Sequence, residues 1–269
     1  MEAAAAAIDS CDFLLIGAGA GASAESGLLT FAQARVSALK GLKDRGLTYD
    51  QAAGLESFAR RPEVFQGFFA RARASYQAAE PHAGYDVLKR WASKPGRDSF
   101  VVTSNIDGFF ERVGFDCPVA QVHGNVFQYQ CGGLPSGKRW PMFERERCCD
   151  RLFPAPDVAL ADGDETLTCV CQGEPPACPF CGAHARPNVY LFGDGSHFVA
   201  DPDVVRADEF FEWRHRVLRA LQDDPTKRLA VVEVGCGLRV PSIRKRCELL
   251  VGEAPPGQAL LVRVNPAPD

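Results

Sequence analysis

Four short apolar runs recur along the chain, with mixed polar and apolar stretches between them. They cover residues 13–16, 100–103, 229–234 and 259–264. Runs of this length and composition are typical of strands that are buried on both faces of a parallel sheet. Because helical patterns separate them, the chain is predicted to form a doubly wound α/β sheet that binds ligands at the carboxyl ends of its strands.

Two of the intervening stretches have helical periodicity. Residues 62–78 open with a proline, which suits the first turn of a helix, and residues 207–221 form a second amphipathic pattern. The apolar face of the first helix is predicted to carry Val64, Phe65, Phe68, Phe69 and Ala72.

The middle of the chain differs in composition from the rest. Residues 130–186 hold most of the 11 cysteines, many prolines and few periodic segments. We therefore predict a small cysteine-rich domain over 130–186, inserted into a sheet domain made of residues 8–129 and 187–269, all within one unit of 269 residues.

Bulk properties exclude several classes of protein. Hydrophobic residues make up 46% of the 269 residues, which is enough for a sizeable core. The 30 basic and 34 acidic residues give a net charge of −4, so direct binding of nucleic acid is not expected. No apolar segment has the length of a membrane span, and Glu2 and Asp9 stand where a secretory signal carries basic residues. These features predict a cytoplasmic or nuclear protein without a membrane segment.

The first predicted strand runs directly into a turn that contains Gly17, Gly19 and Gly21. Glycines permit tight bending and a close approach of the backbone to a pyrophosphate, whose charge is favoured at the start of the next helix. A glycine turn that binds nothing is the alternative. Residues 19–27, Gly-Ala-Gly-Ala-Ser-Ala-Glu-Ser-Gly, resemble the NAD loop of the sirtuin family, Gly-Ala-Gly-x-Ser-x-x-Ser-Gly.

The resemblance implies that NAD contacts this loop through Gly19, Ala20, Gly21, Ser23, Glu25, Ser26 and Phe31. In the family, the phenylalanine covers the nicotinamide side of the ribose. The family also has an aspartate and a phosphate-side arginine where this chain has Thr30 and Ala32, so another basic residue such as Arg35 would have to replace that arginine.

The second apolar run ends in Thr103-Ser104-Asn105-Ile106-Asp107, which resembles the sirtuin motif Thr-Gln-Asn-Ile-Asp. The resemblance implies that all of residues 104–107 contact NAD. Asn105 would line the ribose as a catalytic residue, while Asp107 and the backbone of Ile106 would hold the nicotinamide carboxamide. An Asn-Asp turn that only caps the following helix is the alternative.

Sixteen residues after Asp107, Val122-His123-Gly124 matches the catalytic His-Gly of the sirtuins. Histidine suits proton transfer because its ordinary pKa of about 6.5 lies near neutral pH. The resemblance implies that His123 is the general base, which accepts a proton from the ribose hydroxyls so that the acyl group can be transferred. Taken alone, a histidine is more often a packed or surface residue.

The spacing Cys178-Pro-Phe-Cys181 is that of half a zinc ribbon. An odd number of cysteines in a chain with a large core also favours reduced thiols over disulfides. Sirtuins place their first zinc ligand at the position of Cys131. We predict one structural zinc on Cys131, Cys178, Cys181 and Cys169, with other candidates for the fourth ligand in Cys148, Cys149 and Cys171. A packed cysteine cluster without metal is the alternative.

Two further segments resemble sirtuin motifs. Residues 185–194 are similar to the family's Arg-Pro-x-Val-Val-x-Phe-Gly-Glu, which implies that an acylated peptide adds as a strand beside this loop. The substrate would contact Val189, Phe192 and Gly193, although a plain edge strand and turn would give the same pattern. Near the C-terminus, the segments that hold the adenine ribose in the family correspond to Gly235, Cys236 and Asn265.

The resemblance extends from about residue 13 to residue 265 and implies a Rossmann-like sheet with a zinc-ribbon-like insert and a helical module. The expected activity is that of an NAD-dependent protein-lysine deacylase acting on an acylated protein and releasing nicotinamide and O-acyl-ADP-ribose. The departures from the motifs place the chain near the macrodomain-linked, ADP-ribosylating branch. Protein ADP-ribosyl transfer, NAD hydrolysis and a catalytically silent NAD- or zinc-binding module are therefore the alternatives, and His123 favours deacylation.

Overall fold

The computed structural model describes residues 2–30, 33, 42, 46–135, 143–145, 147–161 and 170–266. The chain forms two compact units, one made of Met1–Leu28, Glu80–Val122 and Pro202–Asp269, the other of Leu29–Ala79 and His123–Asp201. Within the described ranges, no helix has both the length and the hydropathy of a membrane span.

The first unit is built on a five-stranded parallel sheet. Its strands are β1 (Phe13–Ala18), β2 (Asp98–Thr103), β3 (Val119–Gln121), β9 (Leu229–Val234) and β10 (Ala259–Val264), in the order β10-β9-β1-β2-β3 across the sheet. Its helices are α1 (Glu2–Ser10), α5 (Ala83–Ala92), α6 (Phe109–Val113), α7 (Pro202–Val205), α8 (Ala207–Asp223) and α9 (Ser242–Glu253). A 3₁₀ turn at Ala20–Ser26 follows β1.

Burial explains why the apolar runs form strands. The strands β1, β2 and β9 are almost wholly buried, and helices α8 and α9 pack Trp213, Val217 and Leu250 into the same core. All four predicted strands and both predicted helices are present, so the predicted fold class is confirmed. The prediction that residues 259–264 are buried on both faces is wrong, because β10 stands at the edge of the sheet and has no buried residue.

The strand order reverses next to β1. From β1 the chain adds β2 and β3 on one side, whereas β9 and β10 lie on the other. The carboxyl ends of β1 and β9 therefore flank the switch point, which is where open α/β sheets bind their ligands.

The second unit contains a three-stranded antiparallel sheet with the order β7-β4-β8. Its strands are β4 (Gly124–Cys131), β7 (Phe153–Pro154) and β8 (Ala185–Val189), beside a small pair of β5 (Leu134–Pro135) and β6 (Phe143–Arg145). Its helices are α2 (Tyr49–Ala52), α3 (Leu55–Arg60) and α4 (Pro62–Ala78).

This unit is larger than the insert over 130–186 that composition suggested, because α4 packs against the sheet. The Tyr129 hydroxyl on β4 donates to Gln66 Oε1 at 2.9 Å, and Gln66 Nε2 donates to the carbonyl of Ala185 on β8 at 2.6 Å. A cluster of aromatic rings on α3 and α4, including Phe58, Phe65 and Phe69, forms much of the unit's core.

Candidate functional site

The glycine turn after β1 is joined to the turn after β9 through the backbone. The amides of Gly19 and Gly21 donate to the carbonyls of Val234 and Gly235, both at 3.0 Å. A Cβ atom on Gly21 would lie 2.7 Å from the Cα of Gly235, and one on Gly19 would lie 2.8 Å from its carbonyl oxygen. These glycines are thus required by the contact between the two turns, a reason that is independent of any phosphate.

Four polar side chains meet beside this turn. The Ser23 hydroxyl donates to Asp107 Oδ2 at 2.6 Å and lies 2.9 Å from the Tyr85 hydroxyl, and Asn105 Nδ2 donates to Ser23 Oγ at 3.2 Å. Asp107 Oδ1 accepts from the amide of Phe109 at 3.0 Å. We refer to Ser23, Tyr85, Asn105 and Asp107 as the polar cluster.

The polar cluster is shielded from solvent. Each of its members is less than 10% exposed. Burial raises the pKa of the Asp107 carboxyl, and the hydrogen bond from Ser23 acts in the opposite direction. Burial likewise raises the pKa of Tyr85, so this hydroxyl keeps its proton at neutral pH.

One atom of the polar cluster fits a bound ligand. Asn105 Oδ1 is buried and, within the described part of the chain, accepts no hydrogen bond. Leaving a buried acceptor unsatisfied costs about 1–3 kcal/mol, so such an atom is expected to receive a donor from a water or from a bound molecule. A nicotinamide ribose, which carries hydroxyl donors, fits this requirement.

The predicted residues of the NAD loop lie in or next to the same turn. Ala20, Glu25 and Ser26 belong to the 3₁₀ segment, where Glu25 is exposed and Ser26 Oγ accepts from the amide of His82 at 3.0 Å. Phe31 lies outside the described residues. After β2, Ser104 and Ile106 are half-buried, and the Ser104 amide donates to the carbonyl of Ala18.

The three residues predicted at the adenine end come together at the ends of β9 and β10. Asn265 Nδ2 donates to the carbonyl of Cys236 at 3.3 Å, and the Gly235 amide donates to the carbonyl of Val264 at 2.9 Å. The Cys236 thiol lies in the core 3.8 Å from the carbonyl of Gly17, and burial raises its pKa to about 12. A ligand contact from Cys236 would therefore come from its backbone.

The sequence did not indicate that Tyr85 and His82 belong to this site. His82 Nδ1 accepts from the Gly84 amide at the start of α5, so Nε2 carries the proton and donates to the carbonyl of Ala22 at 2.8 Å. This histidine thereby fixes the helix that carries Tyr85. Helical periodicity indicates which face of α5 is buried, but not which polar atom the face meets.

In the second unit, His123 lies in the turn between the segment ending at Val122 and strand β4. Its carbonyl accepts from the Tyr190 amide at 2.9 Å, and its ring stacks on the Tyr190 ring with centroids 5.9 Å apart. Gly124 has φ +76°, and a Cβ there would lie 2.0 Å from the carbonyl oxygen of Asn188. The glycine after His123 is therefore required by the close packing against Asn188.

The predicted substrate loop follows the edge strand β8. Val189 is buried and pairs with Gly124 on β4. Phe192 is 69% exposed, and Gly193 has φ +78°. The loop is closed by a fully buried ion pair in which Arg186 Nη2 lies 2.8 Å from both carboxylate oxygens of Asp194. Burial lowers the pKa of Arg186, and Asp194 acts in the opposite direction.

Four thiols form a compact centre in the second unit: Cys131, Cys148, Cys178 and Cys181, with all sulfur atoms within 4.8 Å of one another. The pairs 131–181 and 148–178 are each 3.7 Å apart, too far for disulfides. A tetrahedral zinc with Zn–S bonds of about 2.3 Å separates its sulfurs by about 3.8 Å. The spacing therefore fits a closed four-thiolate zinc site.

Among the described residues, the fourth member of this centre is Cys148, which was one of the alternatives to Cys169. Cys169 lies outside the described residues, Cys149 Sγ is 3.6 Å from Cys148 Sγ but outside the group of four, and Cys171 lies elsewhere. Cys148 is brought in by its backbone amide, which donates to Cys131 Sγ at 3.4 Å.

The fold and these sites define a doubly wound α/β protein with a ligand site at its switch point and a separate four-thiol centre. The Sir2 family model matches residues 19–210. The chain therefore belongs to the Sir2 family, the sirtuins, as the motifs predicted.

Two curated relatives illustrate the similarity. The NAD-dependent protein deacylase of Desulfosudis oleivorans is 30% identical over 182 residues, and the NAD-dependent protein deacylase 1 of Pseudomonas aeruginosa is 31% identical over 185 residues. These alignments cover 65% and 67% of this chain, and the chain spans 60% and 62% of the length of the two relatives.

Solved structures share the fold. A Sir2 homologue crystallised with NAD superposes with a TM-score of 0.65 at 21% identity, covering 99% of this chain and 83% of that chain. A Sir2 protein bound to acetylated peptide gives a TM-score of 0.60 at 19% identity, with coverages of 98% and 92%.

Proposed function

We propose that this protein is an NAD-dependent protein-lysine deacylase. The observation that carries the proposal is the polar cluster at the switch point, where Asn105 Oδ1 offers a buried acceptor to a ligand. The names of the relatives, NAD-dependent protein deacylases, support the same activity. The substrates would be NAD and an acylated protein.

Within the first unit, each part of the site has a separate task. Asn105 would accept a hydrogen bond from the nicotinamide ribose, and Asp107 with the Ile106 backbone would hold the carboxamide. The ends of β9 and β10, at Gly235 and Asn265, would contact the adenine ribose. NAD supplies the ADP-ribosyl group that takes up the acyl group when nicotinamide leaves.

Within the second unit, His123 would act as the general base that takes a proton from the ribose hydroxyls. Its backbone hydrogen bond to Tyr190 and the stacked ring restrict where the imidazole can point. Such restriction favours proton transfer, because a base must reach the proton that it abstracts.

The acylated peptide would bind as an additional strand at β8. This strand pairs with β4 and stands at the end of the order β7-β4-β8, as strand addition requires. The exposed ring of Phe192 and the turn at Gly193 follow directly, and the buried Arg186–Asp194 pair holds this loop. Val189 would contribute to the wall around the acyl-lysine.

The four-thiol centre would hold one zinc with a structural role. A site with four thiolate ligands is closed and leaves no position for a water molecule.

The decisive experiment measures nicotinamide release and acyl removal with NAD and a defined acetyl-lysine peptide. We expect both to depend on the acyl group. His123→Ala should lower acyl removal by about 100-fold or more while NAD still binds, because general bases contribute about 10²–10⁴-fold. His215→Ala, which alters an exposed histidine on α8, is the control and should retain full activity.

Other outcomes would contradict the proposal in different ways. Transfer of ADP-ribose to protein without any acyl group would indicate an ADP-ribosyltransferase. Nicotinamide release with water alone would indicate an NAD hydrolase, and no release under any condition would indicate a silent binding module. Undiminished acyl removal by His123→Ala would eliminate His123 as the base.

A further inference from the structure

The hydrogen bonds of Ser23 have a defined direction. A serine hydroxyl has one proton to donate and two lone pairs that accept. Its proton goes to Asp107 Oδ2 at 2.6 Å, and one lone pair accepts from Asn105 Nδ2 at 3.2 Å. The remaining contact, 2.9 Å to the hydroxyl of Tyr85, must therefore be a hydrogen bond that Tyr85 donates.

This direction determines how the amide of Asn105 is turned. Its Nδ2 faces Ser23 Oγ at 3.2 Å. If the amide were reversed, Oδ1 would face Ser23 Oγ, whose only proton is already donated to Asp107. Two acceptors would then meet in a buried place, which is unfavourable. Oδ1 consequently points away from Ser23 and accepts nothing from the described residues.

We propose that Tyr85 is a positioning residue for the cofactor site, which acts through Ser23 to hold Asn105 Oδ1 toward the nicotinamide ribose of NAD. This role rests on the proposed function, since it requires that NAD is the ligand. Tyr85 touches no reacting atom in this scheme. Its hydroxyl adds a donor to Ser23, whose own proton goes to Asp107, so the Ser23 oxygen is left to accept from the Asn105 amide and favours one of its two orientations.

The Tyr85 ring is held independently of its hydroxyl. The side chain is 1% exposed and makes edge contacts with Phe109 and Phe110 at centroid distances of 5.6 and 5.1 Å. His82 also contacts the ring at 5.3 Å and caps the helix. Tyr85→Phe thus removes the hydroxyl while the packing of the ring is retained.

A matched control exists in the other unit. Tyr129 is also buried, at 1% exposure, and its hydroxyl donates to Gln66 at 2.9 Å. Both Tyr→Phe variants of the full chain should lose similar amounts of thermal stability. In calorimetric titrations with NAD, we expect the Kd of Tyr85→Phe to rise about fivefold, the equivalent of one net hydrogen bond, and that of Tyr129→Phe to stay within about twofold.

A double-mutant cycle separates positioning from a general structural effect. If Tyr85 acts through Asn105, Tyr85→Phe in the Asn105→Ala background should change the Kd for NAD by less than about twofold. The increase in Tm on adding NAD should likewise shrink in Tyr85→Phe but not in Tyr129→Phe.

The proposal is overturned if Tyr85→Phe binds NAD as tightly as the unaltered protein. It is also overturned if the loss is the same with and without the Asn105 amide, or if Tyr129→Phe weakens binding equally. Failure of the unaltered protein to bind NAD would reject the proposed function itself, and the role of Tyr85 with it.

Discussion

The geometry of the four-thiol centre predicts that only one of two neighbouring cysteines is a zinc ligand. Cys148 and Cys149 are adjacent in sequence and their sulfurs are 3.6 Å apart, but only Cys148 lies within 4.8 Å of all three other thiols. Cys148→Ser should therefore remove a zinc ligand, whereas Cys149→Ser should not. The two variants change the same functional group one residue apart, so each controls for the other.

The expected magnitude follows from the geometry and from the small size of the local core. The sulfur separations of 3.7 Å match the roughly 3.8 Å of a tetrahedral zinc site, so each ligand should contribute fully. Loss of groups that only orient ligands lowers metal affinity about 10–100-fold, so loss of Cys148 itself should exceed about 100-fold. Among the described residues, the buried cluster here consists of Cys131, Cys178 and Ala183, with Phe153 packed against it, so a bound zinc would contribute much of the local stability.

The assay is zinc content by mass spectrometry after gel filtration, followed by competition with a chromophoric chelator. We expect about one zinc per chain for the unaltered protein and Cys149→Ser, and a large loss for Cys148→Ser. Tm should fall in the presence of chelator for the first two proteins. Equal zinc loss in both variants, or loss in Cys149→Ser alone, would refute the assignment, and an unaltered protein without zinc would refute the metal site.

Two further predictions concern stability, measured by urea unfolding. Gly235 has φ +63°, and a Cβ there would lie 2.1 Å from the nearest backbone atom of the glycine turn, so Gly235→Ala should cost more than about 2 kcal/mol. Gly237→Ala, where nothing lies within 4 Å, should cost under about 1 kcal/mol, and similar losses for both would contradict the contact. Asp194→Ala should cost about 3–5 kcal/mol because it leaves the Arg186 charge buried and unpaired, whereas Glu56→Ala, which breaks an exposed pair, should cost about 0.5 kcal/mol or less.

The parts of the fold that could be predicted are those in which the local pattern of apolar and polar residues indicates a strand or a helix. Strands β1, β2 and β9 are apolar runs because both faces of the sheet are covered there, whereas the edge strand β10 is equally apolar but has no buried residue. The first half of α4 is buried over residues 64–70, which include its four large apolar side chains. The motifs around Ser23, Asn105 and His123 could be located because each is a short continuous segment.

Features that depend on contacts between distant segments could not be read in the same way. Cys148 joins Cys131 across 17 residues through a backbone hydrogen bond, and nothing in the local sequence distinguishes it from Cys149. The Tyr85 hydroxyl contacts Ser23, which is 62 residues away in the sequence. The pattern of its helix predicts that the aromatic ring is buried, but not which polar atom the hydroxyl contacts. The extent of the second unit was also missed, since the packing of α4 on β4 and β8 relies on Gln66, a polar residue in a buried position.

The departures from the sirtuin motifs differ in their physical consequences. Thr30 replaces an aspartate, but it forms a local capping arrangement: its hydroxyl accepts from the Gln33 amide at 3.3 Å, and Gln33 Oε1 accepts from the Thr30 amide at 2.9 Å. Cys236 replaces a hydroxyl residue, yet its thiol is turned into the core beside Gly17. In both places the new side chain is used by the protein's own structure.

The polar cluster indicates which residues determine the affinity for the nicotinamide ribose. Within the first unit, Ser23 is hydrogen-bonded to Tyr85, Asn105 and Asp107, whereas the Cys236 thiol is directed toward Gly17. Asn105 Oδ1 is buried and accepts no hydrogen bond from the described residues. Affinity for the nicotinamide ribose should accordingly follow the hydrogen bonds of the polar cluster more closely than the number of motif positions that match the family.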